Sequence, residues 1–270
     1  MSRIAKKFEE LKTAGKKGFI PFVTAGDPDL RTSLSILRTL AMEGADIIEL
    51  GVPFSDPMAD GPTIQASSQR ALAEGVRLSD VLDLVRELRS DCETPVVLFG
   101  YLNPLLQYGL ERFREDAASA GVDGVLVTDI VDDEAAQISD LFAQKNIDLI
   151  SLVAPTTTER RMEAISKRAR GFIYAVSRAG VTGARNEMSQ EAEILVNRVR
   201  KFTDLPIAVG FGISNREQIE SVWRYADAAV VGSAIVSEIA RANSGADALD
   251  RVRHFVRGLM PKVAKTPSGI

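Results

Sequence analysis

Residues 30–50 read Leu-Arg-Thr-Ser-Leu-Ser-Ile-Leu-Arg-Thr-Leu-Ala-Met-Glu-Gly-Ala-Asp-Ile-Ile-Glu-Leu, and the order of patterns within this stretch decides the fold. Leu34, Leu37, Leu40 and Ala41 fall on one face of a helix spanning residues 30–42. Gly44-Ala45-Asp46 then supplies a helix-ending turn. The run 46–50 shows no period-2 alternation, so it reads as a strand buried on both faces, the kind found in parallel sheets covered by helices. Helix, glycine turn and doubly buried strand make one repeating unit.

Outward from this stretch the unit recurs. Strand candidates lie at 19–24, 46–50, 96–99, 124–127, 148–153, 171–176, 207–209 and 228–231. Helical spacing returns at 80–89, where Val81, Leu84, Val85 and Leu88 share a face, and at 190–201, where Ala192, Leu195, Val196 and Val199 do. Gly121-Val122-Asp123 and Ala226-Asp227 repeat the turn that leads into a strand. Eight such units in 270 residues predict an α/β chain: a single (β/α)8 TIM barrel covering 1–270, with extended loops after strands 2 and 6. The alternative, a doubly wound open sheet, usually carries a glycine-rich phosphate turn after its first strand. Here that strand leads into Thr24-Ala25-Gly26-Asp27-Pro28, with no G-x-G-x-x-G, and Asp27 or Asp29 reads as a helix start.

Composition narrows the function. The chain is 45% hydrophobic and 26% charged, ordinary for a globular protein, and 33 basic against 37 acidic residues leave a net charge of -4. That balance gives no electrostatic reason to expect nucleic acid or a membrane surface. The one cysteine, Cys92, allows neither an intrachain disulfide nor a thiolate zinc site. The one histidine, His254, rules out a multi-histidine metal site, so no metal is expected, and a Ser-His-Asp triad would have to use His254 itself. His254 falls in an amphipathic stretch, 249–260, that reads as an outer helix, which leaves acid–base work to carboxylates, Tyr or Lys. Residues 1–17 are charged and lack the apolar core of a signal peptide, and no run approaches the roughly 18 apolar residues of a membrane span, so a cytoplasmic setting is expected. Trp223 and Cys92 read as packing residues.

The long interval after the second strand holds the chemistry. Glu49 ends an apolar strand, where a carboxylate would face the barrel mouth and lose hydration. Desolvation disfavours ionisation, and a carboxyl group moved toward neutrality both gives and takes protons. The alternative is a Glu paired with Lys or Arg inside the barrel. Asp60 follows in a loop stiffened by Pro53, Pro57 and Pro62 and also carrying Asp56. Nearer water, it would ionise more readily, so the two acids could divide donor and acceptor roles. As an alternative, Asp60 caps the helix that begins near Pro62. Three turns fit an anion: Gly210-Phe211-Gly212 after strand seven, Gly232-Ser233 opening a helix after strand eight, and Gly180-Val181-Thr182-Gly183 after strand six. Glycine there could also be turn chemistry alone. Tyr174, within the sixth strand, reads either as core or as a hydroxyl reaching a carboxylate in the mouth.

These residues carry a resemblance. Phe19-Ile-Pro-Phe-Val-Thr-Ala-Gly-Asp-Pro28 resembles the opening strand of the tryptophan synthase alpha chain family, and Glu49-Leu-Gly-Val-Pro-Phe-Ser-Asp-Pro-Met-Ala-Asp-Gly-Pro62 resembles its most specific signature. Tyr101-Leu-Asn-Pro104, residues 177–185, Gly210-Phe-Gly-Ile213 and Gly232-Ser-Ala-Ile-Val236 match further blocks in the same order. The resemblance implies a (β/α)8 lyase that cleaves indole-3-glycerol phosphate to indole and glyceraldehyde 3-phosphate. It implies Glu49 and Asp60 as catalytic acids, Gly183, Gly212, Gly232 and Ser233 as phosphate binders, and Phe22, Tyr174, Asp129 and Thr182 around the substrate. It also implies a beta chain partner in an alpha-beta-beta-alpha complex, with pyridoxal phosphate in that partner and no cofactor in this chain. The loop with Pro53, Phe54, Asp56 and Pro57 is expected to touch the partner, with Met58 adding apolar area, unless these side chains pack on the barrel's own rim. Two stretches depart from the family pattern: Asp129-Ile130-Val131 lacks a proline often found after the Asp, and Phe99-Gly100-Tyr101-Leu102-Asn103 replaces commonly smaller residues. Readings weighed beside the lyase subunit are a stand-alone indole-releasing lyase, an isomerase or epimerase of sugar phosphates, and a non-catalytic subunit that only activates a partner.

Overall fold

A computed structural model describes the backbone of residues 1–176, 185–210 and 212–260, and their side chains apart from those of 132–133 and 185–189. Its eight strands are β1 (Gly18–Thr24), β2 (Ile48–Gly51), β3 (Val96–Gly100), β4 (Gly124–Val127), β5 (Asp148–Val153), β6 (Ile173–Val176), β7 (Ile207–Gly210) and β8 (Ala228–Val231). Its helices are α1 (Arg3–Thr13), α2 (Leu30–Met42), α3 (Pro62–Ala73), α4 (Leu78–Leu88), α5 (Leu102–Tyr108), α6 (Leu110–Ala120), α7 (Asp132–Ala143), α8 (Glu159–Arg168), α9 (Arg185–Val199), α10 (Arg216–Val222), α11 (Ser233–Ala240) and α12 (Gly245–Leu259). Each strand pairs in parallel with the next and β8 returns to β1, so the sheet closes in sequence order as the sequence predicts, and the open-sheet alternative is excluded.

Local chemistry sets the element ends. Asp29 caps α2 by accepting the Thr32 N–H at 2.8 Å. Gly44 follows α2 at φ +97°, a conformation that favours glycine, and turns the chain into β2. The predicted second strand loses its first two residues because Asp46 faces β1 instead: its carboxylate accepts the Phe19 N–H, and its own N–H donates to the Phe19 carbonyl, both at 2.9 Å. The sixth strand starts at Ile173, two residues late, since Gly171 at φ +67° breaks the extended run. Four helical expectations stand: α2 with the expected ends, and α4, α9 and α12 with shifted ends. Trp223 donates its indole N–H to the Gly18 carbonyl at 2.9 Å, tying the end of α10 to β1, and Cys92 lies half-buried against the core.

Two apolar cores follow from the strand pleat. One lies between the strands and the surrounding helices. The other fills the barrel with Ile20, Ile47, Val97, Leu126, Ile150, Ala208 and Val230, and α1 adds Ile4, Phe8 and Leu11 to it. Helix α1 thus plugs the N-terminal end of the barrel, its Phe8 ring 5.7 Å from that of Phe172. The C-terminal end is the one at which barrels of this kind place their chemistry. Among the described residues no helix is long and apolar enough to cross a membrane.

Candidate active site

Successive residues of a strand point to opposite faces, so Glu49 shares the inner face of β2 with Ile47. It stands in register with Phe22 of β1 and Val97 of β3. The side chain is fully buried, and neither carboxyl oxygen has a hydrogen-bond partner among the described residues. Among the described residues no lysine or arginine pairs with it, which favours the catalytic reading over an internal salt bridge. Burial pushes its pKa up to about 8. At neutral pH it is mostly a neutral acid, held at the end of β2.

Asp60 sits differently. It does not cap α3: the cap is Gly61, with Pro62 in the first helical position and no side-chain bond to the helix end. Its carboxylate instead accepts from the Tyr101 hydroxyl at 3.0 Å, and that hydroxyl accepts the Ala59 N–H at 3.0 Å. Burial raises the pKa of Asp60, and the Tyr101 hydrogen bond pulls the other way. The Tyr174 hydroxyl is buried in the mouth with its pKa raised, first by desolvation and then by the charges of Glu49 and Asp60, which places both acids within electrostatic reach of one ring. It also lies over Gly210, where a Cβ would stand 2.2 Å from the hydroxyl oxygen. The sequence singled out the glycine turn after β7 for an anion; its first glycine makes room for Tyr174.

A cavity of about 350 Å³ opens beside these groups, lined by Ala59, Phe99, Thr128, Leu152, Tyr174 and Val176 among others. It is within the size range of small-molecule sites and mostly apolar. Phe22 lies behind the Phe99 wall: its ring meets Phe99 edge-on at 5.3 Å and lies against Gly51 and Gly232. Gly232 caps α11, and Ser233 begins it with an exposed side chain. The first turn of any helix has N–H groups without carbonyls in their own helix, and its dipole favours an anion. Gly212, at φ +43°, lies exposed after β7. Gly183 and Thr182 lie outside the described residues, as does 177–184 of the extended loop expected after strand 6.

The remaining expected residues divide. Asp129 is exposed, and its carboxylate accepts the Leu102 N–H at 2.8 Å, so it holds the turn between β3 and α5 instead of facing the cavity. In the loop after β2, Pro53 is buried, and Phe54 lies half-buried on the Tyr101 ring at 5.2 Å; these two pack on the barrel's own rim. Asp56 is exposed, Pro57 half-buried and Met58 85% exposed. His254 is exposed on α12, remote from the mouth. Sequence reading missed Tyr101 and Gln65 as partners of the Asp60 loop, and Thr128, Leu152 and Val176 as cavity walls. Inward parity from Leu126, Ile150 and Phe172 points to the walls; nothing local points to the first two.

The chain matches the family model described as tryptophan synthase alpha chain over residues 8–264. It is 49% identical over 265 residues to the tryptophan synthase alpha chain of Citrifermentans bemidjiense, covering 98% of this chain and 99% of that one. It is 46% identical over 259 residues to that of Caldanaerobacter subterraneus subsp. tengcongensis, covering 96% and 98%. Among solved structures, tryptophan synthase subunit alpha from Legionella pneumophila superposes with a TM-score of 0.89 at 39% identity, covering 96% of this chain and 97% of that chain.

Proposed function

The chain belongs to the tryptophan synthase alpha chain family, and on that premise we propose that, as one barrel domain, it cleaves indole-3-glycerol phosphate to indole and glyceraldehyde 3-phosphate by a retro-aldol reaction. The observation that carries this reading is Glu49: a fully buried carboxyl, without a hydrogen-bond partner among the described residues, whose pKa is pushed to about 8.

The bond dictates what the site must supply. Indole leaves poorly as a carbanion, so its C3 is protonated first, and neutral Glu49 gives that proton. Positive charge then spreads to the ring N–H, which donates a hydrogen bond to Asp60, already held by Tyr101. Ionised by the first step, Glu49 takes the proton of the C3′ hydroxyl. The electron pair left on that oxygen forms the aldehyde carbonyl, the carbon–carbon bond breaks, and its electrons neutralise the protonated indole. Atoms and charge balance with Glu49 returned to its acid form. The indole ring occupies the apolar cavity of Phe99, Leu152 and Val176. Gly212, Gly232 and Ser233 hold the phosphate at the start of α11, together with Gly183. This grip fixes the chain end so that the reacting carbon stays near Glu49.

Every proposed step uses this chain's own groups; pyridoxal phosphate is assigned to the beta chain. An association with that chain, which receives the indole, is supported by three exposed apolar residues on successive loops of the open end: Met58 after β2, Leu106 in α5 after β3, and Val131 after β4. They favour a subunit over a stand-alone lyase. An epimerase of the kind that needs metal-binding histidines is disfavoured, since the one histidine is exposed on α12. A cytoplasmic setting fits a chain with one cysteine. The test is Glu49→Gln assayed for indole release from indole-3-glycerol phosphate. Loss of a general acid predicts a fall in kcat of about 100-fold or more; near-normal turnover overturns the assignment.

A further inference from the structure

We propose that Gln65 is a positioning residue that aims Asp60 at the indole N–H. The proposal rests on the reading of Asp60 as the acceptor of that N–H. Gln65 lies in the first turn of α3, and helical side chains lean toward the N-terminus, so its amide reaches back over the helix start. There it donates to the Asp60 carbonyl at 2.8 Å and toward the Pro57 carbonyl at 3.4 Å. One amide therefore spans the turn that begins at Pro57 and closes with the Asp60 N–H donating to the Pro57 carbonyl at 3.0 Å. Tyr101 holds the same turn from the other side, at the Ala59 N–H and the Asp60 carboxylate.

The amide can hold the loop only because α3 is itself fixed. Ser67 and Arg70, one turn apart, face the end of β1. The Ser67 and Thr24 hydroxyls are 2.6 Å apart in a buried contact. Arg70 grips the carboxylate of Asp27 through two bonds, of 2.7 and 2.8 Å, and that carboxylate is fully buried. The path from strand to acid is thus β1, α3, Gln65 and the Asp60 backbone. Without the Gln65 donor, the turn keeps its own Asp60–Pro57 backbone bond and the Tyr101 contacts but loses its side-chain tie to α3.

The experiment is a double-mutant cycle on indole release using the full chain. Gln65→Leu keeps the volume and removes the donor; Gln65→Glu keeps the polarity and removes the donor. Each is expected to lower kcat about tenfold with KM within twofold, because misplacement of a reacting group acts on turnover more than on substrate grip. Released from Tyr101, Asp60 loses the bond that lowers its pKa, so the acidic limb of the kcat/KM profile is expected to move to higher pH. In an Asp60→Asn background, adding Gln65→Leu or Gln65→Glu is expected to change the residual rate by less than about twofold. Unchanged kcat in both variants, or the same tenfold loss in both backgrounds, overturns the positioning role. Near-normal turnover by Asp60→Asn alone overturns the functional reading and this role with it. If Gln65→Leu fails to fold, Gln65→Glu carries the same decision.

Discussion

Glu49 pairs a charge-bearing group with described surroundings that offer that charge no hydrogen bond, so the proton proposed for the reaction also bears on stability. In the unfolded chain its carboxyl titrates near the ordinary 4.5; folded, near 8. Between those values the native state keeps a proton that the unfolded chain has released. The folded form binds more protons there, so stability falls as pH rises. The Glu49 contribution is fully present below pH 4.5 and is lost as pH passes through 8. A glutamine at this position has a constant desolvation cost and no proton linkage. The stability of Glu49→Gln relative to the parent is therefore expected to improve from pH 5 to pH 8, by on the order of a few kcal/mol. Urea unfolding of both proteins at the two pH values measures this, and a difference that does not change with pH rules it out. The same proton predicts a basic limb near pH 8 in kcat/KM, absent in the variant. Glu49 is legible in sequence because an acid at the end of an apolar run is anomalous wherever it occurs. Asp60 is legible as an acid but not in its setting: Tyr101 and Gln65 meet its loop through contacts that no local spacing encodes.

At the level of elements, the barrel strands are legible because burial on both faces leaves uninterrupted Val, Ile, Leu and Ala, and a glycine or aspartate turn marks most entries. What the sequence hides is an element whose apolar face is narrow and surrounded by charge. Helix α1 reads as a basic and acidic leader, yet Ile4, Phe8 and Leu11, spaced by four and three, form one stripe that closes the barrel floor. The stripe is short, and its partner Phe172 lies far along the chain, so periodicity alone gives little weight to it. Helices α5 and α6 are missed for a related reason: Gly109 at φ +91° cuts the stretch, the seven residues of α5 are too few to show a full repeat, and the buried face of α6 is weakly apolar, Phe113 with only Ala117 and Ala120. If α1 is a plug, its cost on removal is that of a core residue and not of a terminus. Phe8→Ala is expected to destabilise the fold by roughly 3 kcal/mol, since it opens a cavity against Phe172. Chemical denaturation measures the loss. Indole release at a temperature where the variant remains folded is expected to stay near the parent value, because α1 sits at the end opposite the acids. A loss below about 1 kcal/mol would place Phe8 on a frayed end instead.

For the molecule as a whole, the two barrel ends have opposite assignments, and the apolar surface follows them. The N-terminal end is closed by α1. At the C-terminal end the acids, the cavity and the start of α11 lie together, and there Met58, Leu106 and Val131 are 85%, 52% and 55% exposed on three consecutive connections. Pro53 and Phe54, expected at the partner surface from the loop sequence, turn inward to pack the rim and brace Tyr101. The inward pair braces the Asp60 loop, which leaves Met58 and its neighbours on the adjoining loops as the exposed apolar surface for the proposed partner. Under the proposed function, a beta chain docked over this rim would cover the mouth of the cavity. Leu106 gives the cleanest test, since it lies outside the Asp60 loop and its side chain is not part of the cavity wall. Leu106→Asp puts a charge into the apolar centre of such an interface and is expected to weaken beta chain binding about tenfold or more, a cost of roughly 1.4 kcal/mol or above. Titration calorimetry with purified beta chain reads the affinity, and indole release by the isolated variant reads the site. Weakened binding with basal turnover within twofold is the expected pair of results. Unchanged affinity would move the interface off this rim, and a matching loss of basal turnover would make Leu106 a support of the site rather than a contact.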